Sequence, residues 1–291
     1  MRSTVYFTRD CTPEAVVRLY QALGKELTGN VAVKVHTGEE GNQNFLTPAF
    51  WKPTVDLVGG TVVECNTAYG GARNETSKHE RLLKDHGWDA LPFELLDAEG
   101  PDDVLPVRGG LQIHENYVGK AMKKYDAMLV LAHFKGHPMG GYGGALKQIS
   151  IGTASTAGKC WIHSAGKTLD QSEVWGMTAP QNAFLEAMAD AALSIVDFFK
   201  DNMAFVNVMK NMSVDCDCCA VAEDPCLADI GVAASLDPVA VDRACLDIVT
   251  ASDDPGKAHF LERVESRNGA HTIEAAEAIG VGSASHDLIE L

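Results

Sequence analysis

Short apolar runs rich in β-branched residues alternate with longer amphipathic segments, and this order constrains the fold more than any other feature. Helical patterns at 13–23, 48–57, 75–86, 182–200, 238–250 and 256–267 follow most of the runs. Three of these segments start with Thr or Asp before Pro, a helix-start signature. The pattern predicts an α/β fold with a mostly parallel open sheet flanked by helices. The predicted strands are Val5–Thr8, Val31–Val35, Thr61–Glu64, Met128–Ala132, Ala204–Val208 and Val232–Ser235.

The 291 residues are interpreted as one α/β unit, which the length allows to be divided into two lobes. The boundary predicted for such lobes lies within 152–181, where glycines stand among Ser and Thr with little periodicity. The same segment is equally typical of a loop at a functional site.

The charge balance argues against nucleic acid as a partner. The chain has 24 Lys and Arg against 40 Asp and Glu, a net charge of −16, whereas phosphate backbones are bound by basic side chains. The first residues form no apolar signal segment, and no apolar run reaches the roughly 18 residues of a membrane span. We therefore expect a cytoplasmic protein without a membrane partner, and the oligomeric state stays open.

Four polar clusters each begin where a predicted strand ends. They start at His36, Cys65, His133 and Asp215. Ligands of open parallel sheets bind beyond the carboxyl ends of the strands, so these clusters are expected at one edge. The ligand-binding residues predicted there are His36, Glu39, Asn42, Glu64, Asn66, Gly140, Gly141, Gly143, Gly144 and Lys147.

The cluster after Met128–Ala132 is the most informative. His133, Lys135 and His137 are the predicted catalytic residues, because imidazole moves protons near neutral pH and a lysine attracts anions. Four following glycines and a helix that starts near Gly144 would aim backbone N–H groups at an anion, with Lys147 one turn in. The spacing matches no nucleotide-binding fingerprint. The alternative is a glycine-lined turn that binds nothing.

Four of the eight cysteines lie close together in sequence and are the predicted metal ligands: Cys216, Cys218, Cys219 and Cys226. Four thiolates suffice for zinc or an iron–sulphur cluster. The C-x-C-C spacing is nevertheless neither a zinc-ribbon pair nor a ferredoxin run. Free or transiently oxidised thiols are therefore the alternative.

The ordered series of motifs resembles the domain-of-unknown-function 362 family over about residues 30 to 250. The matching stretches are His36-Thr37-Gly38-Glu39, Glu64-Cys65-Asn66-Thr67, His133-Phe134-Lys135-Gly136-His137, Gly143-Gly144-Ala145-Leu146-Lys147, Asp215-Cys216-Asp217-Cys218, Asp229-Ile230-Gly231 and Asp237-Pro238-Val239-Ala240-Val241-Asp242. Members of that family are often described as uncharacterised iron–sulphur-centre proteins, and many carry a ferredoxin module. This chain lacks that module, since 160–182 holds only Cys160.

Two main hypotheses follow. The first is an enzyme or binding protein for a small anionic molecule, with a metal near the strand ends. The second is an iron–sulphur redox or maturation protein without substrate turnover. A protein whose polar clusters only close turns is the third alternative, and neither the cofactor nor the reaction follows from the sequence.

Overall fold

The computed structural model describes residues 2–291. Within that range the strands are β1 (Ser3–Thr8), β2 (Val31–Lys34), β3 (Thr61–Glu64), β4 (Phe93–Leu95), β5 (Asp103–Pro106), β6 (Glu115–Val118), β7 (Ala127–His133), β8 (Lys135–His137), β9 (Gly141–Gly143), β10 (Met203–Met209), β11 (Gly231–Ser235) and β12 (His286–Glu290). The helices are α1 (Pro13–Ala22), α2 (Pro48–Val58), α3 (Thr76–Asp85), α4 (Ala145–Ile149), α5 (Thr156–His163), α6 (Gln181–Phe199), α7 (Pro238–Ala251), α8 (Lys257–Ser266) and α9 (His271–Ala278).

Eight strands form one sheet in the order β12-β1-β11-β10-β7-β2-β3-β4. Strands β10, β7, β2, β3 and β4 run parallel to one another, whereas β11 is antiparallel to both of its neighbours. The other four strands form the hairpins β5–β6 and β8–β9. The predicted α/β fold with a mostly parallel sheet is therefore confirmed.

The two central strands β7 and β10 are buried along their whole length, because apolar layers cover both faces of the sheet. Successive residues of β7 alternate between the layers. Met128 and Val130 face the layer formed largely by α4, α6, α7 and α9, while Leu129 and Leu131 face the layer with α1 and α2.

The six predicted strands and six predicted helices are all present, with ends shifted by at most two residues. Two of the three helix-start signatures act as predicted. The Thr12 side chain accepts a hydrogen bond from the N–H of Ala15 (3.3 Å), and Asp237 accepts one from the N–H of Val239 (2.9 Å). Thr47 makes no such bond, although Pro48 begins α2.

The segment 152–181 holds α5, which packs against β6 and α6. Ser155 caps this helix by accepting a hydrogen bond from the N–H of Gly158 (3.0 Å). Ile162 and Val174 are fully buried. The predicted irregular stretch is therefore partly helical and contributes to the core.

None of the helices within residues 2–291 combines the length and apolar character required to cross a membrane.

Candidate functional site

The four polar clusters lie together in the structure. They follow the carboxyl ends of four neighbouring parallel strands, β10, β7, β2 and β3. A cavity of about 240 Å³ lies there. Its lining includes part of the predicted set together with residues of α5 and the loop after it: His36, Glu64, Cys65, Thr67, Ala68, Tyr69, Arg73, Lys135, His137, Pro138, Met139, Gly143, Gly144, Lys147, Gln148, Ile151, Gly152, Lys159, His163, Trp175, Cys218 and Cys219.

A tight turn presents the cysteines. The N–H of Cys219 donates to the carbonyl of Cys216 (2.9 Å), which closes a turn over Cys216–Cys219. The side-chain amide of Asn42 donates to the carbonyl of Cys219 (2.8 Å) and so holds this turn in place. The predicted ligand-binding residue Asn42 therefore supports the turn and does not line the cavity.

The Cys216 sulphur is buried and surrounded by donors. The ammonium group of Lys147 lies 3.3 Å from it, and the rings of His36 and His137 face it. Burial alone would raise the pKa of this thiol. The hydrogen bond from Cys218 and the charges of Lys147 and Lys135 overcome that effect and hold the pKa well below its usual range. These contacts therefore favour the thiolate form of Cys216.

The ring of His137 has a fixed tautomer. Its Nδ1 accepts hydrogen bonds from the N–H groups of Met139 (3.1 Å) and Gly140 (2.8 Å), so the proton of the neutral ring is on Nε2. Burial lowers the pKa of His137 to about 4, which keeps the ring neutral. The Nε2–H group lies 3.8 Å from the Cys218 sulphur and donates toward the thiol pair.

Cys218 stands between the buried Cys216 and the cavity. Its hydrogen bond to Cys216 raises the pKa of Cys218 well above the ordinary value. Cys218 also hydrogen-bonds to Cys219, so the three thiols titrate as one coupled group.

Three of these side chains lie close enough together to be compared with a metal site. His137, Cys216 and Cys218 place one ligand atom each within 4.8 Å of one another, which makes a Cys/His metal site possible by distance. The donors do not suit a cation in this arrangement. Nε2 of His137 carries its proton while Nδ1 is already an acceptor, whereas a metal-bound imidazole donates from its second nitrogen. The Lys147 ammonium also contacts Cys216.

The predicted set of four cysteine ligands is not assembled. Cys226 donates to the carbonyl of Met212 (3.4 Å) and, like Cys219, does not belong to the group that a metal could bridge. Iron–sulphur clusters take four thiolates in their usual form, whereas three thiols, those of Cys216, Cys218 and Cys219, lie together here and Cys226 is bonded elsewhere. The cluster implied by the family resemblance therefore does not fit this site.

Asp217 lies at the centre of a buried charge group beside the thiols. His133 Nδ1 donates to its Oδ1 (2.8 Å) and the Lys135 ammonium lies 3.0 Å from its Oδ2. His133 Nε2 donates to the carbonyl of Lys210 (2.6 Å). Both nitrogens of His133 are thus occupied, and this predicted catalytic residue lies outside the cavity lining, whereas Lys135 and His137 line it.

A second group of paired charges lies at the opposite wall of the cavity. Arg73 pairs with Glu39 (Nε–Oε2 3.1 Å) and with Glu64 (Nη1–Oε1 3.4 Å), and the Lys34 ammonium lies 3.7 Å from Glu64. Burial alone would raise the pKa of Glu64, but the Lys34 charge and other partners hold it well below its usual range. Glu39 and Glu64 are therefore counterions of buried cations.

Asn66, a third predicted ligand residue on this side, is held by its neighbours. Its backbone N–H donates to Asp97 (2.9 Å) and its side-chain amide donates to Thr76 (3.0 Å). His79 Nδ1 donates to the amide oxygen of Asn66 (3.1 Å). Asn66 orders the loop after β3 and lies outside the cavity lining.

The glycine loop differs from the predicted anion cradle. Helix α4 begins after Gly144 as expected, but Asp242 already occupies its first N–H groups, those of Ala145 (2.7 Å) and Leu146 (3.0 Å). A side chain at Gly144 would collide with that carboxylate. Gly143 and Gly144 line the cavity.

Gly140 and Gly141, the other half of the predicted loop, pack outside the cavity lining. A Cβ at Gly141 would lie 2.8 Å from the Cα of Gly269, and its φ of +80° favours glycine. Gly141 therefore allows close backbone packing, and neither glycine lines the cavity.

Sequence reasoning missed several lining residues, among them Arg73 and Ile151 and three residues on or after α5. Lys159 and His163 lie on α5, and Trp175 lies in the loop after it. Only the glycine-rich character of 152–181 pointed to this segment. Its eight-residue helix is too short for a clear periodic signal.

Comparison with known proteins gives a family and distant structural similarities. Residues 31–247 match the family model described as domain of unknown function DUF362. A comparison with curated proteins found no significant match.

Among solved structures, the lactate racemase apoprotein from Thermoanaerobacterium thermosaccharolyticum aligns with 13% identity and a TM-score of 0.44, covering 70% of this chain and 50% of that one. A structural-genomics protein from Thermotoga maritima aligns with 13% identity and a TM-score of 0.41, covering 91% of this chain and 58% of that one. The chain thus spans about half the length of these proteins.

Proposed function

The chain belongs to the DUF362 family, a domain of unknown function, and from its cavity we propose that it binds a small organic anion and acts on it with a cysteine thiolate. The observation that carries the proposal is the contact of 3.3 Å between the Lys147 ammonium and the Cys216 sulphur, beside a cavity lined by four cationic side chains.

The charge of the cavity favours an anion. Arg73, Lys135, Lys147 and Lys159 line it, against one carboxylate, that of Glu64. The whole chain carries a net charge of −16, so this local excess of cations opposes the general trend. Cations concentrated in a cleft raise the local concentration of anionic ligands. A carboxylate or phosphate group is the expected anchor.

The rest of the ligand is expected to be apolar or aromatic. Met139, Ile151 and Trp175 line the same cavity, and His163 stacks on Phe184 with ring centroids 4.8 Å apart. Such a mixture of apolar walls and a few polar groups is typical of small-molecule sites.

The thiol pair supplies the chemistry. A thiolate at neutral pH is the nucleophilic form of cysteine, and Cys218 opens the pair to the cavity. Attack on an electrophilic carbon would form an S–C bond as the leaving group departs with its electron pair. The Nε2–H of the neutral His137 ring is placed to donate a hydrogen bond to negative charge beside the thiols.

Iodoacetate tests both parts at once, because it is a small carboxylate with an electrophilic carbon. Free thiols react faster with neutral iodoacetamide. In this protein, the ratio of iodoacetate to iodoacetamide rates at Cys216 and Cys218 is expected to exceed that of N-acetylcysteine about tenfold. Rates are measured by quenching and peptide mass spectrometry.

K159M separates anion binding from thiol reactivity. Lys159 is a cation of the cavity lining that donates to the carbonyl of Ala154 and makes no hydrogen bond to the thiols. The iodoacetate preference should fall several-fold in this variant, while the iodoacetamide rate stays near that of the wild type. A preference equal to that of N-acetylcysteine in the wild type would contradict the anion site.

The distances among His137, Cys216 and Cys218 favour metal binding as the second candidate function. Elemental analysis of protein purified without oxygen separates the two. We expect iron and zinc well below one equivalent, because the His137 tautomer and Lys147 oppose a cation. Stoichiometric zinc that protects Cys216 and Cys218 from alkylation would support the second candidate instead.

His163 is expected to contact the end of the ligand away from the anion. Burial lowers its pKa to about 3, and its Nδ1 has no hydrogen-bond partner among the described residues. We expect 4-hydroxybenzoate to protect the thiols from iodoacetate about fivefold better than benzoate, the difference that one hydrogen bond gives. H163F keeps the ring stack and should abolish the difference without lowering the melting temperature. Equal protection by both compounds in the wild type would refute this role.

A further inference from the structure

Two of the sulphurs in the Cys216–Cys219 turn are close enough to be joined. The Cys216 and Cys218 Sγ atoms lie within 4.8 Å of each other. The hydrogen bond from the Cys219 N–H to the Cys216 carbonyl folds the chain back, which places Cα atoms two residues apart at roughly 5–6 Å. A disulfide needs a Cα separation of about 4.4–6.8 Å. Rotation of the two side chains therefore suffices for a bond.

We propose that Cys216 and Cys218 form a reversible disulfide, which gives the cavity a two-electron redox activity toward small organic disulfides. This inference rests on the thiol pair that the proposed function uses, but bond formation between the two sulphurs requires no anion in the cavity. The two proposals can therefore fail separately.

The step balances as ordinary thiol–disulfide exchange. Cys218 lines the cavity and attacks first, after passing its proton to Cys216. An S–S bond to one half of the organic disulfide forms, and the other half leaves as a thiolate that takes the proton from Cys216. The Cys216 thiolate then attacks the Cys218 sulphur and expels the second half as a thiolate. Two cysteines are oxidised and one organic disulfide is reduced.

The surroundings favour a disulfide that is easily reduced again. Lys147 contacts the Cys216 sulphur, and His36 and His137 face it, so the reduced form is stabilised by charge and hydrogen bonds. A stabilised reduced form makes a disulfide more oxidising. The bond is thus expected to exchange and not to act as a permanent cross-link.

The other cysteines are less suited. Cys11 donates to the carbonyl of Met209 (3.8 Å) and Cys65 to that of Thr153 (3.3 Å), and neither lies with the thiol pair. Cys219 contacts Cys218, but adjacent cysteines close a strained ring. The pair Cys216–Cys218 is therefore the one that the geometry selects.

The test uses the full-length reduced protein with 2-hydroxyethyl disulfide, a neutral reagent. After acid quenching, the wild type should show a mass lower by two hydrogens, no retained adduct and two fewer alkylatable thiols. C219S should behave in the same way. C218S should lose the bond, and C216S should retain a mixed disulfide on Cys218. Dithiothreitol should restore both thiols in the wild type.

A stable adduct on the wild type, or a loss of the bond in C219S together with its retention in C216S, would overturn the assignment. Fragmentation of the oxidised wild type locates the bond even if a variant fails to fold. Anionic 3,3′-dithiodipropionate compared with cationic cystamine tests the anion site separately. Equal rates for these two with a normal bond would contradict the proposed function alone.

Discussion

Replacing Lys147 by methionine is expected to slow alkylation of Cys216 and Cys218 by iodoacetamide about 10- to 100-fold at pH 6.5. The ammonium group lies 3.3 Å from the Cys216 sulphur, and a neighbouring charge of this kind shifts a pKa by about 1–3 units. Each unit lowers the thiolate fraction about tenfold below the pKa. Methionine fills a similar volume without charge.

The pH dependence gives the decisive readout. Because the pKa of Cys216 is held below its usual range, the wild-type rate at Cys216 should fall less from pH 8 to pH 6 than the rate of N-acetylcysteine. In K147M the rate should fall over that range and approach the wild-type rate above pH 9. A folded K147M protein with the wild-type profile would show that Lys147 does not stabilise the thiolate.

Lys123 provides the matched control. It pairs with Asp103 at 2.7 Å on the surface and does not line the cavity. K123M changes the net charge of the protein by the same amount as K147M, but it leaves the surroundings of the thiols unchanged. Its alkylation profile should therefore match that of the wild type. A loss of rate in both variants would point to the overall charge and away from the contact.

The strands that sequence patterns predicted are those with continuous apolar runs. Strands β7 and β10 are buried on both faces, and such strands produce unbroken hydrophobic stretches. The edge strand β12 is mostly exposed and pairs with β1 alone, so its residues show no pattern. Short strands such as β8 and β9 depend on a hairpin whose turn carries little periodic signal.

The location of the site was predictable, because the carboxyl ends of neighbouring parallel strands lie at the same end of the sheet. That rule placed Lys135, His137 and Lys147 around one cavity. It does not distinguish lining residues from the residues that brace them. Glu39 and Asn42 carry polar groups at the same edge, yet both are hydrogen-bonded to other loops.

Contacts between residues that are far apart in sequence could not be predicted from local sequence patterns. Asp242 lies in α7 but accepts hydrogen bonds from the start of α4, nearly a hundred residues earlier. The cysteine spacing suggested metal ligands, and only the three-dimensional structure places Lys147 beside the sulphur. Whether a group of cysteines binds a metal ion depends on the charged side chains around the sulphurs, and the spacing of the cysteines in sequence does not reveal those side chains.

Replacing Asp242 by alanine is expected to lower the free energy of unfolding by about 3–5 kcal/mol, the usual effect of breaking a buried charged network. Its carboxylate accepts from the N–H groups of Ala145 and Leu146, from the Tyr142 hydroxyl (3.1 Å) and from the Asn207 amide (2.7 Å). Alanine leaves these buried donors without an acceptor. Denaturant unfolding followed by circular dichroism measures the change.

The control for D242A lies on the same helix. Asp247 pairs with Arg243 at 2.6 Å on the surface, and D247A should cost less than about 1 kcal/mol. D242A should also slow thiol alkylation, since the start of α4 positions Lys147. Equal effects of the two substitutions on stability would contradict the role of Asp242.

The pH dependence of the unfolding free energy separates the effect of the Asp242 charge from the effect of its side-chain volume. Burial raises the pKa of Asp242 to about 6 in the folded state, against 3.8 as the ordinary value. Between these values the folded protein binds more protons than the unfolded chain, so stability falls as the pH rises. From pH 5 to pH 7 this group should cost the wild type about 1 kcal/mol. D242N has no titrating group there, so its unfolding free energy should lack that decline relative to the wild type. If the difference between wild type and D242N is the same at both pH values, Asp242 does not titrate in this range.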